Sequence, residues 1–226
     1  MPRVTEIDVY IEKGYRVIAS AVDWPGWCRI ARSEEEALAA LFAHGRRYAR
    51  VARAAKLEFT APAEPGSLRV IARFAGDMGP MPIPTDKLPA DARPVKPAEV
   101  ERLGAVITGC WSVFDAARRK GIGKKLALGP RGGGRDLDKI VDHVLEADAA
   151  YLSRLGWKIK LDPADDVSKK LRLIREADLD GLAASAAGRL AERGPRGGLH
   201  WKPRYFVRRA AWHILDHAWE IEDRIV

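Results

Sequence analysis

Short runs near the start of the chain alternate or cluster apolar residues in the way that β-strands do. "VTEIDVYI" at residues 4–11 alternates apolar and polar residues, and "YRVIASAV" at 15–22 is rich in β-branched and aromatic residues. The turn signal Lys13-Gly14 separates the two runs, and "DWPGWCRIA" leads through a second turn into another short run. The pattern predicts three successive strands.

The period then changes to that of an amphipathic helix. Ser33 is a typical N-cap residue, Glu36 completes a capping box, and "EEALAALFAHGRRYARVARAA" continues at helical period. "SLRVIARFAG" follows as a further strand. The order β-β-β-α-β predicts a small α+β module over residues 1–75.

Residues 76–97 separate this module from the rest of the chain. Their six prolines disfavour helix and central strand, so we predict an extended linker and a domain boundary. The prolines are Pro80, Pro82, Pro84, Pro89, Pro94 and Pro97.

Residues 98–226 show helical period in four segments. The first starts on a proline, the second starts on a capping Asp136 and ends at Gly156, and the third contains Gly181 and Gly188, which could bend or break it. "PRYFVRRAAWHILDHAWEIEDRI" forms the fourth. We therefore predict an α+β N-terminal module followed by an all-α four-helix bundle.

Composition narrows the class of protein. The chain has 226 residues, 47% of them hydrophobic, enough for a substantial core. It lacks a secretory signal pattern and a long apolar run, which predicts a cytoplasmic protein with no membrane partner. Its two cysteines suggest buried thiols.

The formal charge of +8 permits nucleic-acid binding but does not favour it, because the basic residues are spread along the chain.

Two histidines lie four positions apart in the last predicted helix. His213 and His217 would therefore point to the same side, a spacing by which one helix can give two imidazoles to one metal ion. His143 lies in the second predicted helix beside an inward stripe and is the candidate third ligand. Three imidazoles with an open position suit one divalent ion, zinc or nickel above all. The alternative is three histidines held by ordinary hydrogen bonds.

Acidic residues stand near the proposed ligands. Glu146 and Glu220 each follow a histidine by three positions. They could accept a hydrogen bond from an imidazole or act as a general base beside bound water, and solvated surface positions are the alternative. We expect Asp216 to pair with Arg209 or Arg208. The other two histidines have no partner at metal-ligand spacing.

A glycine-arginine loop precedes the helix that carries His143. Backbone amides, guanidinium groups and a helix N-terminus together suit a carboxylate or phosphate, while a plain flexible loop is the alternative. The predicted anion-binding residues are Arg131, Gly132, Gly133, Gly134 and Arg135.

The mid-helix His143 together with "HILDH" resembles the DinB-like superfamily of metal-binding four-helix bundles over residues 97–226. The resemblance implies that His143, His213 and His217 bind a divalent ion. Several members are transferases or isomerases that use low-molecular-weight thiols such as mycothiol or bacillithiol. The implied chemistry is activation of a thiol by the ion, which lowers the thiol pKa.

"VDWPGWCRIARSEEEALAAL" resembles the HicB-like module over residues 5–60, in which a strand, a Pro-Gly turn, another strand and a helix recur. The resemblance implies a toxin partner and, often, DNA. Trp24 and Trp27 could stack on such a partner or pack against the helix.

Two functions follow from these patterns. The first is a metal-dependent thiol transferase or isomerase that acts on a small acidic substrate. The second is a non-enzymatic regulatory protein in which the HicB-like module contacts protein or nucleic acid. A homodimer is compatible with either function.

Overall fold

The computed structural model describes residues 6–79, 82–85, 88–128 and 134–226, which form four strands and five α-helices. The strands are β1 (Ile7–Lys13), β2 (Val17–Ala21), β3 (Cys28–Ala31) and β4 (Leu68–Ala75). The helices are α1 (Glu34–Ala54), α2 (Pro97–Gly121), α3 (Leu137–Leu155), α4 (Val167–Ala186) and α5 (Pro203–Arg224). The predicted sequence of an α+β segment followed by helices is confirmed.

Local signals set the helix ends where the sequence indicates them. The Ser33 hydroxyl accepts a hydrogen bond from the Glu36 backbone N–H at 3.1 Å, and Asp136 accepts one from the Lys139 backbone N–H at 2.9 Å. Each bond satisfies a backbone donor that the first turn of a helix leaves free. Gly156 ends α3 with a φ of 97°, which a glycine adopts without steric cost.

Gly181 does not break α4. A Cβ atom at this position would lie 2.8 Å from a methyl carbon of Leu152, so the missing side chain lets the last turns of α3 approach α4. Gly188 lies beyond the end of the helix, which ends at Ala186. Of the two glycines, only Gly188 therefore lies where the helix stops.

The sheet has the strand order β3-β2-β1-β4, with β4 parallel to β1 and the other pairs antiparallel. Helix α1 packs against β2 and β3. Trp27 is fully buried there and donates from Nε1 to the Leu41 carbonyl of α1 at 2.9 Å. Its ring stacks on Tyr48, and Trp24 and Phe59 complete an aromatic cluster. Trp27 therefore packs against the helix.

The predicted linker lies between the sheet and α5. The Thr85 N–H donates to the Glu12 carboxylate at 2.7 Å, and Tyr205 of α5 donates to the Pro84 carbonyl at 3.1 Å. Residues 89–92 form a turn of 3-10 helix that the prolines did not predict. Asp91 in this turn forms a buried ion pair with Arg208 of α5. This part of the linker is thus tied to both neighbours.

Helices α2 to α5 pack on one another, α2 mainly against α5, and α3 against both α4 and α5. One continuous buried cluster includes residues of the sheet, of α1 and of these four helices. The placement of the domain boundaries stays a prediction. Among the described residues, no helix has both the length and the apolar character needed to cross a membrane.

Glu12 gives the fold a testable pH dependence. Burial raises the pKa of Glu12 from 4.5 to about 7, although the Thr85 N–H and the charge of Arg208 act in the opposite direction. A raised pKa makes the protonated acid the stabilising form, so its contribution is complete below pH 4.5 and is lost as pH rises through 7. Glu12→Gln should remove this loss, which we expect to be about 1–3 kcal/mol. Urea unfolding of both proteins between pH 4.5 and 8 measures it.

Glu35→Gln is the matched control, since Glu35 lies exposed on α1. It should leave the pH profile of the unfolding free energy unchanged. A constant free-energy difference between wild type and Glu12→Gln over this pH range would contradict the prediction.

Candidate metal centre

Three histidines from two helices come together at the seam between α3 and α5. His143 belongs to α3, and His213 and His217 belong to α5. Each offers one ring nitrogen, and these nitrogens all lie within 4.8 Å of one another. The Nε2 atoms of His143 and His213 are 3.2 Å apart. The three histidines named from the sequence are therefore close enough to hold one metal ion.

The packing of α3 explains how His143 reaches this point. Ile140 and Val144, which flank it on the helix, are buried in the core, whereas His143 itself is only half-buried. On α5, the spacing of four places His213 and His217 on one side of the helix. The site thus lies at the edge of the core, where His213 and His217 are buried and His143 is partly exposed to solvent.

Glu220 fixes the proton on His217. Its Oε2 lies 2.8 Å from His217 Nδ1, and a carboxylate can only accept, so Nδ1–H donates. Nε2 of the neutral ring then carries the lone pair that a metal ion requires. The hydrogen bond from His217 lowers the pKa of Glu220, although partial burial acts in the opposite direction.

Arg224 connects this carboxylate with the loop before α3. Its guanidinium forms an ion pair with Glu220 and donates to the backbone carbonyls of Ala127 and Arg135 at 2.8 Å each. The Arg224 side chain therefore contacts the carboxylate that orients His217, a residue before the predicted anion-binding loop, and the last residue of that loop. Sequence reasoning missed Arg224, although a Glu-to-Arg spacing of four on a helix is a signal for such a pair.

The surroundings keep His143 and His213 neutral. Burial lowers the pKa of His213 to about 2, with smaller contributions from the other two histidines and then from Arg209 and Arg135. Burial also lowers the pKa of His143, again with a contribution from Arg135. Metal binding requires the neutral form of imidazole, so these ligand nitrogens are ready without a change in pH. Nδ1 of His213 is enclosed and has no hydrogen-bond partner among the described residues.

The remaining predicted site residues differ in how the structure describes them. Glu146 is exposed, and in the described part of the chain it makes no hydrogen bond or ion pair, although its charge acts on His143. Gly134 and Arg135 immediately precede the cap of α3. Arg131, Gly132 and Gly133 lie outside the described residues, so their role in binding an anion stays a prediction. Of the two predicted acidic neighbours, Glu220 alone contacts a ligand histidine.

The two remaining histidines have backbone partners elsewhere. A ring nitrogen of His44 lies 2.8 Å from the Ala40 carbonyl, and one of His200 lies 2.7 Å from the Ala191 carbonyl. Neither belongs to the cluster.

The expected pairing of Asp216 with Arg209 or Arg208 is wrong. Asp216 instead lies 3.4 Å from Arg29 of β3, and Arg208 pairs with Asp91. The physical reason is helix geometry: side chains seven or eight positions apart are about two turns, or about 11 Å, apart along the axis. Arg209 is left between the rings of Tyr151 and Trp212.

No family model, curated protein or solved structure matches the chain. The donor atoms themselves indicate the chemistry of the site. Three neutral imidazole nitrogens form a ligand set that suits zinc, nickel and similar divalent ions, and the part of the chain that the structure describes adds no fourth histidine, cysteine or carboxylate to the cluster.

The different positions of the two glutamates predict different effects on metal affinity. Glu220→Gln removes the charged acceptor that orients His217, so we expect metal to bind about 10- to 100-fold more weakly. Glu146→Gln is the matched control, because it removes the same charge near the site from an exposed residue that makes no hydrogen bond to a histidine in the described part of the chain. Competition with a chromophoric zinc chelator measures both affinities. Equal affinities in the two variants would show that Glu220 has no orienting role.

Proposed function

We propose that this chain binds one divalent metal ion, zinc or nickel, through His143, His213 and His217. The observation that carries the proposal is the convergence of the α3 histidine with the α5 pair, since helix periodicity alone brings together only the pair. The neutral rings of His143 and His213 and the hydrogen bond from His217 to Glu220 support it. These are the features expected of imidazole ligands and of the groups that orient them.

We further propose that α2 to α5 form a DinB-like bundle and that the segment before them is HicB-like. The first relationship is supported by four helices that pack together and by histidines in the second and fourth of them. The second is supported by a turn at Pro25-Gly26, followed by β3 and then a helix that begins beside Ser33.

The proposed activity is that of a metal- and thiol-dependent transferase or isomerase acting on a small acidic substrate. Three protein ligands leave a coordination position for another molecule. The ion, when bound, would lower the pKa of a coordinated thiol and so supply the nucleophile. The chain's own groups keep His143 and His213 neutral, orient His217, and place the charge of Arg135 near the site.

A non-enzymatic regulatory role is the second candidate, and the sheet edge favours it. Among the described strands, β4 has a neighbour on one side only, and Ile71 is 44% exposed on it. Such an edge can accept a strand from a partner. Arg69 and Arg73 on β4 are paired with carboxylates, so this edge favours protein over nucleic acid.

Elemental analysis tests the metal site directly. Protein purified without a histidine tag and supplied with metal should contain about one equivalent of a transition metal, because the three donors form one cluster. The His213→Ala, His217→Ala double variant should lose it. His200→Ala is the matched control, since His200 lies outside the cluster and should leave the metal content unchanged. Metal-free wild-type protein after repletion would rule out the site.

Thiol binding tests the enzymatic proposal. When Co²⁺ replaces the native ion, coordination by a thiol should produce a sulfur-to-cobalt charge-transfer band in the near ultraviolet. We expect this band in the wild type and not in the double-histidine variant. Its absence with cysteine, glutathione, mycothiol and bacillithiol would favour the regulatory role.

A further inference from the structure

Arg209 is a buried arginine that lacks an acidic partner in the described part of the chain. Its side chain lies in α5, the residue is 9% exposed, and its Nη1 is enclosed without a hydrogen-bond partner. A buried charge is costly unless a group of opposite charge or a hydrogen-bond acceptor meets it. Arg209 therefore has an unmet requirement for an acceptor.

The other arginines of α5 meet this requirement within the protein. Arg204 binds Glu99, Arg208 binds Asp91, and Arg224 binds Glu220. Each of these guanidinium groups thus has its own carboxylate, and Arg209 is the exception in the helix.

Two aromatic rings hold the Arg209 guanidinium in place. Its central carbon lies 5.0 Å from the ring centre of Tyr151 and 4.6 Å from that of Trp212. Contacts of this kind stabilise a cation without using its N–H donors. The group is thereby positioned while its hydrogen-bonding capacity is left for an acceptor.

Arg209 stands next to the candidate metal centre. It precedes His213 by four positions, which is about one turn, or about 6 Å, along α5. Tyr151, which packs on Arg209, also packs on the His213 ring with 5.6 Å between ring centres. A small molecule bound to the ion would therefore extend within reach of the guanidinium.

The charges of the site favour an anionic ligand. Three neutral imidazoles do not offset the two positive charges of a divalent ion, and Arg209 and Arg135 add to them. The nearby negative charge of Glu220 is already paired with Arg224. The exposed Glu146, whose charge acts on His143, offsets one of these positive charges, and the centre keeps an excess of positive charge.

We propose that Arg209 is the carboxylate-binding residue of this site and that the ligand is a small thiol-bearing carboxylate. The sulfur would bind the ion, and the planar carboxylate would meet the guanidinium, whose fork geometry fits a carboxylate. Because Arg209 and His213 are only about one helical turn apart, one small molecule can carry both groups. This inference rests on the proposed metal site and thiol chemistry, and adds to them the residue that binds the carboxylate.

The test compares two thiols that differ in charge but hardly in shape. Co²⁺-loaded full-length protein is titrated with 3-mercaptopropionate and with 3-mercaptopropionamide, and the charge-transfer band gives each Kd. We expect the wild type to favour the carboxylate about 10- to 100-fold, the range for a hydrogen bond between charged groups. Arg209→Gln should lose this preference through weaker carboxylate binding, with little change for the amide. Comparing the two proteins cancels the different acidities of the two thiols.

Arg209→Lys and Arg135→Gln complete the design. Arg209→Lys keeps the charge but not the fork, so its preference should be intermediate. Arg135→Gln removes the other nearby positive charge and should keep most of the preference. Circular dichroism and Co²⁺ affinity show whether each variant is folded and loaded. If Arg209→Gln does not fold, the two Kd values of the wild type and those of Arg209→Lys decide the question.

The outcomes separate this inference from the metal site beneath it. Co²⁺ binding with equal affinity for the two thiols would overturn the role of Arg209 and leave the metal site standing. If Arg209→Gln still favours the carboxylate thiol, the role of Arg209 is likewise overturned. If Arg135→Gln loses the preference instead, the carboxylate binds at the glycine-arginine loop before α3. Failure of the wild type to bind Co²⁺ would overturn both proposals together.

Discussion

Helix α5 packs against α2, α3, α4 and the segment before α2, and its charged side chains other than Arg209 form ion pairs inside the protein. Arg208 meets Asp91 on one side, while Glu222 meets Arg47 and Arg50 of α1 near the C-terminal end. Removing one partner of a buried ion pair leaves an uncompensated charge, which costs several kcal/mol. Sliding or rotating α5 would break these pairs together. The position of His213 and His217 relative to α3 therefore follows from contacts made far from the site.

The sequence predicted the elements and the three histidines because their signals are local. Ser33, Asp136 and Gly156 act on backbone groups within a few residues of themselves, so their roles can be inferred without knowing the fold. Histidines four apart share a side wherever their helix is placed. Only His143 needed a long-range assumption, namely that the second and fourth predicted helices face each other, and the structure supplies that contact between α3 and α5.

The contacts that sequence reasoning missed depend on other elements. Asp216 was given an arginine of its own helix, but its partner Arg29 comes from β3, and spacing within α5 carries no information about that strand. Arg224 is important because Ala127 and Arg135 approach it, although they lie almost ninety residues or more away in the chain. Arg209 points to a ligand because the described residues offer it no carboxylate. A missing partner of this kind can be recognised only in the folded structure, because a sequence does not show which residues surround a side chain.

These features together argue for an exchangeable ligand rather than a purely structural ion. A structural zinc site is closed by four protein ligands, and it does not require an unpaired arginine beside it. Here the described cluster has three donors, one of them half-buried, and the neighbouring guanidinium is held by aromatic rings instead of a carboxylate. Keeping a buried, unpaired charge lowers the stability of the free protein, whereas an anion that binds there would recover that free energy. A small acidic molecule would therefore complete both the coordination of the ion and the pairing of Arg209.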